Sequence, residues 1–284
     1  MKKIAVALVH GIGNTPADFA DAMIAELKQR FESANPGVVA DDALAFAPVY
    51  WGPILQTPEN ELWNRIKKGT DMDFIALRRF MVSFAADALA YQPLPYERSK
   101  YEEVHTVFAE SLKRLAALAG PTAPLVVVSH SLGTIVTSNY FYDLSRPKLI
   151  PAPVQAAMTA PRATALERGR TFTALYTLGS PIALWSLRYA DFGKPIQVPS
   201  APVKPDLAKH GGWFNFYDPD DVIGYPLKTL NPAYKAAVKE DRPLNSGGIL
   251  TSWNPVSHIS YWTDNDVTKP IAARLTALSQ FLNP

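Results

Sequence analysis

Val126-Val127-Val128-Ser129-His130-Ser131-Leu132-Gly133 climbs from β-branched apolar residues to a histidine, a serine and a glycine. Consecutive valines suit a strand buried on both faces, as in a parallel sheet. The apolar run stops abruptly, and the pattern after Ser131 continues at helical spacing to about Leu144. The stretch therefore predicts a strand that breaks sharply into a helix, with Ser131 at the break. So tight a turn needs small residues two before and two after the serine. Gly133 meets that need. Ser129 stands where glycine is more usual, and its hydroxymethyl group adds little bulk. An ordinary buried strand followed by a turn would read the same way, so other parts of the chain must decide.

The N-terminus supplies the first of these. Ile4-Ala5-Val6-Ala7-Leu8-Val9 reads as a buried strand that runs into His10-Gly11-Ile12-Gly13-Asn14. Gly11 and Gly13 permit backbone conformations closed to other residues. Such a loop can turn the Ile12 N–H toward the serine, where it would join the N–H of Leu132. Two donors converging there would hold the negative oxygen that develops when a carbonyl is attacked. A plain turn is the simpler reading. A phosphate loop fits poorly, because the third glycine and the lysine of nucleotide-binding loops are missing.

Elsewhere strands and helices alternate. Phe19, Met23, Leu27 and Phe31 recur every fourth residue, after a helix start expected at Thr15-Pro16. Leu44 to Tyr50 reads as a strand. Ser99-Lys100-Tyr101-Glu102 has capping-box spacing ahead of Val104, Phe108, Leu112 and Leu115. Phe172 to Leu178 and Trp213 to Tyr217 are further strands, and Ile271, Leu275, Leu278 and Phe281 mark a last helix. The expectation is an α/β fold: a mostly parallel central sheet with helices on both faces, in one domain over residues 1–284. Residues 54–98 break the alternation. They suggest a helical insert, with Leu62, Trp63 and Ile66 in one helix and Phe74, Phe80, Met81 and Phe84 in a second. The insert could cap an acyl pocket, pack on the side of the sheet, or form a dimer contact.

The chain has 284 residues, enough for a large core, and 48% of them are hydrophobic. A net charge of +2, from 28 Lys+Arg against 26 Asp+Glu, gives no field of the kind nucleic acid requires. The absence of cysteine excludes disulfides, thiolate metal sites and a cysteine nucleophile. The first apolar run is too short for a signal peptide and leads straight into the glycine loop, so a cytoplasmic location is expected. No stretch is long and apolar enough to span a membrane. The oligomeric state is left open.

His10-Gly11-Ile12-Gly13, Ser129-His130-Ser131-Leu132-Gly133 and Leu178-Gly179-Ser180-Pro181 together give the chain a resemblance to the α/β-hydrolase superfamily, in particular to its small lipases and esterases. The resemblance covers most of the chain. It implies the α/β-hydrolase fold and a serine, acid and histidine in that chain order. It further implies hydrolysis of a carboxylic ester through an acyl-enzyme, with no cofactor and no metal. After the strand ending at Tyr217, Asp218, Asp220 and Asp221 compete for the acid. Asp221 matches best because it directly precedes the apolar pair Val222-Ile223. Such a carboxylate cluster could also hold Ca²⁺, but it lacks the glycine and distal glutamate of a calcium loop. His258 alone among the five histidines follows the acid in sequence. Trp185 and Phe192, from a proline-rich segment, and Phe80, from the insert, are the expected substrate-binding residues, for a small-molecule ester with a hydrophobic acyl group. A thioesterase or acyltransferase could use the same three residues. A binding protein of this fold without turnover is the alternative from another class.

Overall fold

The computed structural model describes residues 1–13, 15–67, 75–92, 98–146, 150–160, 162–245, 258 and 260–284, less the side chains of 57–59, 67, 75–77, 80–81, 153 and 157–159. Among the described residues six strands form one sheet: β1 (Ile4–Val9), β2 (Leu44–Val49), β3 (Leu125–His130), β4 (Phe172–Leu178), β5 (Gly212–Tyr217) and β6 (Val238–Pro243). Their order is β2-β1-β3-β4-β5-β6, and every pairing is parallel.

Alternate residues of each strand feed two core layers, as the two-residue strand period requires. Ala5, Ala7, Val9, Leu125 and Val127 pack in the layer of α4 (Ser99–Ala119) and α5 (Leu132–Leu144). Ile4, Val6, Leu8, Val126 and Val128 pack in the layer of α1 (Asp21–Ala34) and α7 (Asn265–Leu282). With both faces of the sheet covered there, β1, β3 and β4 are apolar runs and not alternating ones. The insert supplies α2 (Gly52–Lys67) and α3 (Ile75–Ala90), and a short α6 (Ile182–Ser186) follows β4. No helix among the described residues is long and apolar enough to cross a membrane.

This topology decides where a site can form. The chain runs outward from β1 to β2, then returns to place β3 on the other side of β1. Strand order thus reverses between β1 and β3, and ligands of open parallel sheets bind at the strand ends of such a reversal. Val9 pairs with Ser129 in register, so the loop after β1 and the turn after β3 leave the sheet at the same level.

Four local readings are corrected or sharpened. The first helix begins at Asp21, not at Thr15, with a turn over residues 17–20. The crossover helix begins at Ser99 itself, with Arg98 in the N-cap position. His105, which the sequence places in the crossover helix with no sign of which way it faces, is fully buried, where Tyr91 Oη lies 2.9 Å from its Nε2. The strand β6 was not expected at all. Its sequence, Val-Lys-Glu-Asp-Arg-Pro, is charged because it is the sheet edge, where charge guards against further pairing.

Burial pushes the pKa of His10 down to about 4, and those of His105 and His130 to about 3. In the unfolded chain each would take up a proton near pH 6.5, at about the ordinary histidine value. Stability is therefore lost as pH falls below that value, by about 3 kcal/mol for His10 alone once its folded pKa is reached. Asp143 acts in the opposite sense: burial raises its pKa to about 6, so its contribution is present in acid and lost as pH rises through that value. With three groups against one, the thermal midpoint should fall steadily between about pH 7 and pH 5. A midpoint that is flat or rises on acidification in calorimetry would contradict the neutral buried histidines.

Candidate active site

Ser131 has φ 52° and ψ −131°. This is backbone that non-glycine residues rarely adopt, at a cost on the order of 1–3 kcal/mol. The surroundings hold it there. Its N–H donates to Leu178 O at 2.9 Å, and its carbonyl accepts from Thr134 Oγ1 at 2.7 Å. Close packing explains the flanking small residues. A Cβ on Gly133 would lie 2.3 Å from His10 O, and one on Gly11 would lie 2.5 Å from Ser131 Cβ. Ser129 is accommodated because its hydroxyl lies 2.7 Å from Thr137 Oγ1 on α5.

His258 and Asp221 converge on this turn. His258 Nε2 lies 2.7 Å from Ser131 Oγ, and His258 Nδ1 lies 2.8 Å from Asp221 Oδ2. A carboxylate can only accept, so Nδ1 carries a proton and the neutral ring offers the Nε2 lone pair to the hydroxyl. Asp221 also accepts from the Ile223 N–H at 3.0 Å and from Tyr261 Oη at 3.0 Å. Burial alone would raise its pKa. The hydrogen bonds from His258, Ile223 and Tyr261 outweigh that and hold it below its ordinary value. Room for the carboxylate comes from two glycines: a Cβ on Gly179 or Gly224 would lie 3.0 or 2.7 Å from Asp221 Oδ2.

The rival carboxylates are placed otherwise. Asp218 is buried and shapes the turn, with Oδ1 accepting the Asp220 N–H at 2.8 Å and its carbonyl accepting the Asp221 N–H at 3.0 Å. Asp220 is exposed. Among the described residues no cluster of His, Asp and Glu is arranged to hold a metal ion.

Two further histidines brace the site. His130 projects to the other sheet face from Ser129, and its Nε2–H donates to the His258 carbonyl. Its ring centroid lies 4.9 Å from that of His258. It is therefore a main-chain tether for His258. His10 donates from Nδ1 to Gly11 O at 2.8 Å, while its Nε2 accepts the N–H groups of Trp51 and Gly52 at 3.1 Å each. Both rings do this work as neutral imidazoles, in keeping with their lowered pKa values.

Leu132 opens α5, so its N–H belongs to the first helical turn, whose donors have no partner within the helix. Ile12 lies in the loop whose Gly11 touches Ser131, and it packs on the α4–α5 core layer. Helix α3 of the insert reaches this loop: Asp87 Oδ2 accepts the Gly13 N–H at 3.0 Å. Ser131 has no exposed surface, His258 is 2% exposed and Asp221 5% exposed. The side chain of Phe80, like Phe74 and Asn14, lies outside the described residues. Trp185 and Phe192 both line a groove of about 620 Å³, with Ile135, one helical turn along α5 from Ser131, and Ile182, Tyr189 and Tyr234 also in its lining.

Sequence reasoning missed Tyr261, Asp87, the tether role of His130, and the clearance at Gly224. A glycine after Asp221 was visible, but only the fold brings it against Gly179.

No family model matches this chain, and no curated protein matches it. Among solved structures, the chain is similar to a protein of Xanthomonas campestris pv. campestris provisionally described as a hydrolase of the alpha/beta superfamily. The two share 11% identity over 98% of this chain and 99% of the other, with a TM-score of 0.37.

Proposed function

We propose that the protein is a serine-dependent carboxylic ester hydrolase of the α/β-hydrolase type. The observation that carries this reading is the continuous hydrogen-bonded relay from Asp221 through His258 to Ser131, ending on a serine held in a left-handed turn. Serine is a weak nucleophile at neutral pH and needs a base within hydrogen-bond reach. In this mechanism Ser131 Oγ attacks the ester carbonyl while His258 Nε2 takes its proton. Asp221 stabilises the imidazolium that forms. The N–H groups of Ile12 and Leu132 hold the oxyanion, each worth about 3–4 kcal/mol of barrier. His258 then protonates the leaving alcohol, and water, activated by the same imidazole, releases the acid from the acyl-enzyme.

The insert acts as a cap in this account. Support comes from the Asp87–Gly13 hydrogen bond, which fastens α3 to the oxyanion loop, and from the complete burial of Ser131 beneath its surroundings. Substrate entry then requires α3 to move. The groove offers a hydrophobic acyl group the side chains of Ile135, Ile182, Trp185, Phe192 and Tyr234, with polar residues such as Asn139, Asp191 and Lys194 also in its lining.

Nitrophenyl esters of increasing acyl length test the reading. The expected result is a burst of about one nitrophenol per enzyme, the mark of an accumulating acyl-enzyme. Rates should rise from acetyl toward medium-length acyl groups. Absence of hydrolysis across the series would sink the enzyme assignment, and a sharp preference for acetyl would sink the apolar groove.

A further inference from the structure

The groove beyond Ser131 does not end at its aromatic walls. Tyr142 and Arg146 form a shared wall with a second cavity of about 400 Å³, lined also by Arg168 and Arg170. None of the described residues lining that second cavity is acidic. Among the described residues, Arg146, Arg168 and Arg170 form no ion pair. Arg146 is stacked over the Tyr142 ring, 3.6 Å from its centroid, which fixes its guanidinium at the junction of the two cavities. Arg168 Nε is buried and has no hydrogen-bond partner among the described residues. Asp143, a buried carboxylate that feels the charge of Arg146, accepts from Tyr101 Oη at 2.8 Å.

Like charges lining one small cavity repel, and a buried guanidinium N–H without an acceptor is costly. Both conditions are relieved by an anion with several acceptor oxygens, which arginine forks bind in a bidentate manner. We propose that this cavity is an anion subsite for the far end of the substrate. The substrate is then an ester or thioester with an extended, apolar middle and a terminal phosphate or carboxylate. Helix α5 sets the distance: at 1.5 Å rise per residue, its length from Leu132 to Leu144 is roughly 20 Å, with Ser131 just before it and Arg146 just after. This inference rests on the ester-hydrolase reading for its substrate class, but the subsite itself can be tested without turnover.

Titration calorimetry of the full chain with dodecyl phosphate and with tetradecanoate, each below micelle formation, provides that test. The neutral control is dodecanol. Dodecyl phosphate should bind at least about tenfold more tightly than dodecanol, since charge-assisted bonds to arginine are among the strong ones. The order of phosphate and tetradecanoate shows which anion the cavity prefers. R168Q/R170Q should lose that advantage, while S131A keeps it. If the double variant does not fold, the exposed single variant R170Q replaces it and should lose at least about threefold, with binding weakened by added salt. Equal affinity for dodecyl phosphate and dodecanol in the wild type, or unchanged affinity in the folded variants, would overturn the subsite. Anion binding in a protein that shows no ester hydrolysis would leave the subsite standing and remove the enzyme assignment instead.

Discussion

Ser131→Ala is expected to lower kcat for ester hydrolysis by about 10⁴- to 10⁶-fold, the range found when a nucleophile acting with a base is removed. The side chain lost is small and fully buried, so the fold should survive. Removal of the hydroxyl also relieves nothing of the backbone strain, because the φ of 52° is imposed by the Leu178 and Thr134 hydrogen bonds to the main chain. His258→Ala should cost a similar factor. Combining the two should cost little more than either alone, because groups that act as one unit are not additive. Activity in folded Ser131→Ala above about one part in a hundred of wild type would be incompatible with a covalent serine mechanism.

The second large effect is at the acid. Asp221→Asn should reduce kcat by about 10⁴-fold with little change in stability. An asparagine turned to donate toward His258 Nδ1 would favour the opposite tautomer, whose Nε2 carries the proton and cannot accept one from Ser131. Asp218→Asn and Asp220→Asn make a strict comparison. Asp218 uses Oδ1 as an acceptor for a turn N–H, which an amide oxygen can replace, and Asp220 faces solvent. Both should stay within about tenfold of wild type, as changes outside the reacting groups usually do. Measured kcat values that fall most in Asp218→Asn would reassign the acid. The pH profile gives an independent check. Because Asp221 is held below its ordinary pKa, its part in catalysis is present at neutral pH and is lost only as pH falls through that depressed value.

Much of this arrangement is legible in the sequence because strain and close packing leave few residue choices. Gly133 and Gly11 are readable, since their Cβ positions are filled by His10 O and Ser131 Cβ. The parallel core is readable too, since strands buried on both faces must be continuously apolar. Asp221 could be ranked above Asp218 from its apolar followers, and the Ile223 N–H bond to its Oδ1 gives that pattern a physical cause. Other features were hidden for equally physical reasons. The edge strand β6 is charged and looks like a loop. The tether from His130 to the His258 carbonyl spans 128 positions, and nothing local marks it. The Tyr261 hydroxyl reaches both the Asp218 N–H and Asp221 only because the turn after β5 folds back beneath it. Asp87 reads as an interruption in an apolar helix. Its carboxylate acquires a purpose only when α3 lies on the glycine loop.

Labelling with a small fluorophosphonate, followed by peptide mapping, tests the central claim most directly. The account predicts one phosphonylated residue, Ser131, at about one label per chain, with labelling abolished in His258→Ala and in heat-denatured protein. No labelling of the folded wild type, or a label carried on another serine, would contradict it.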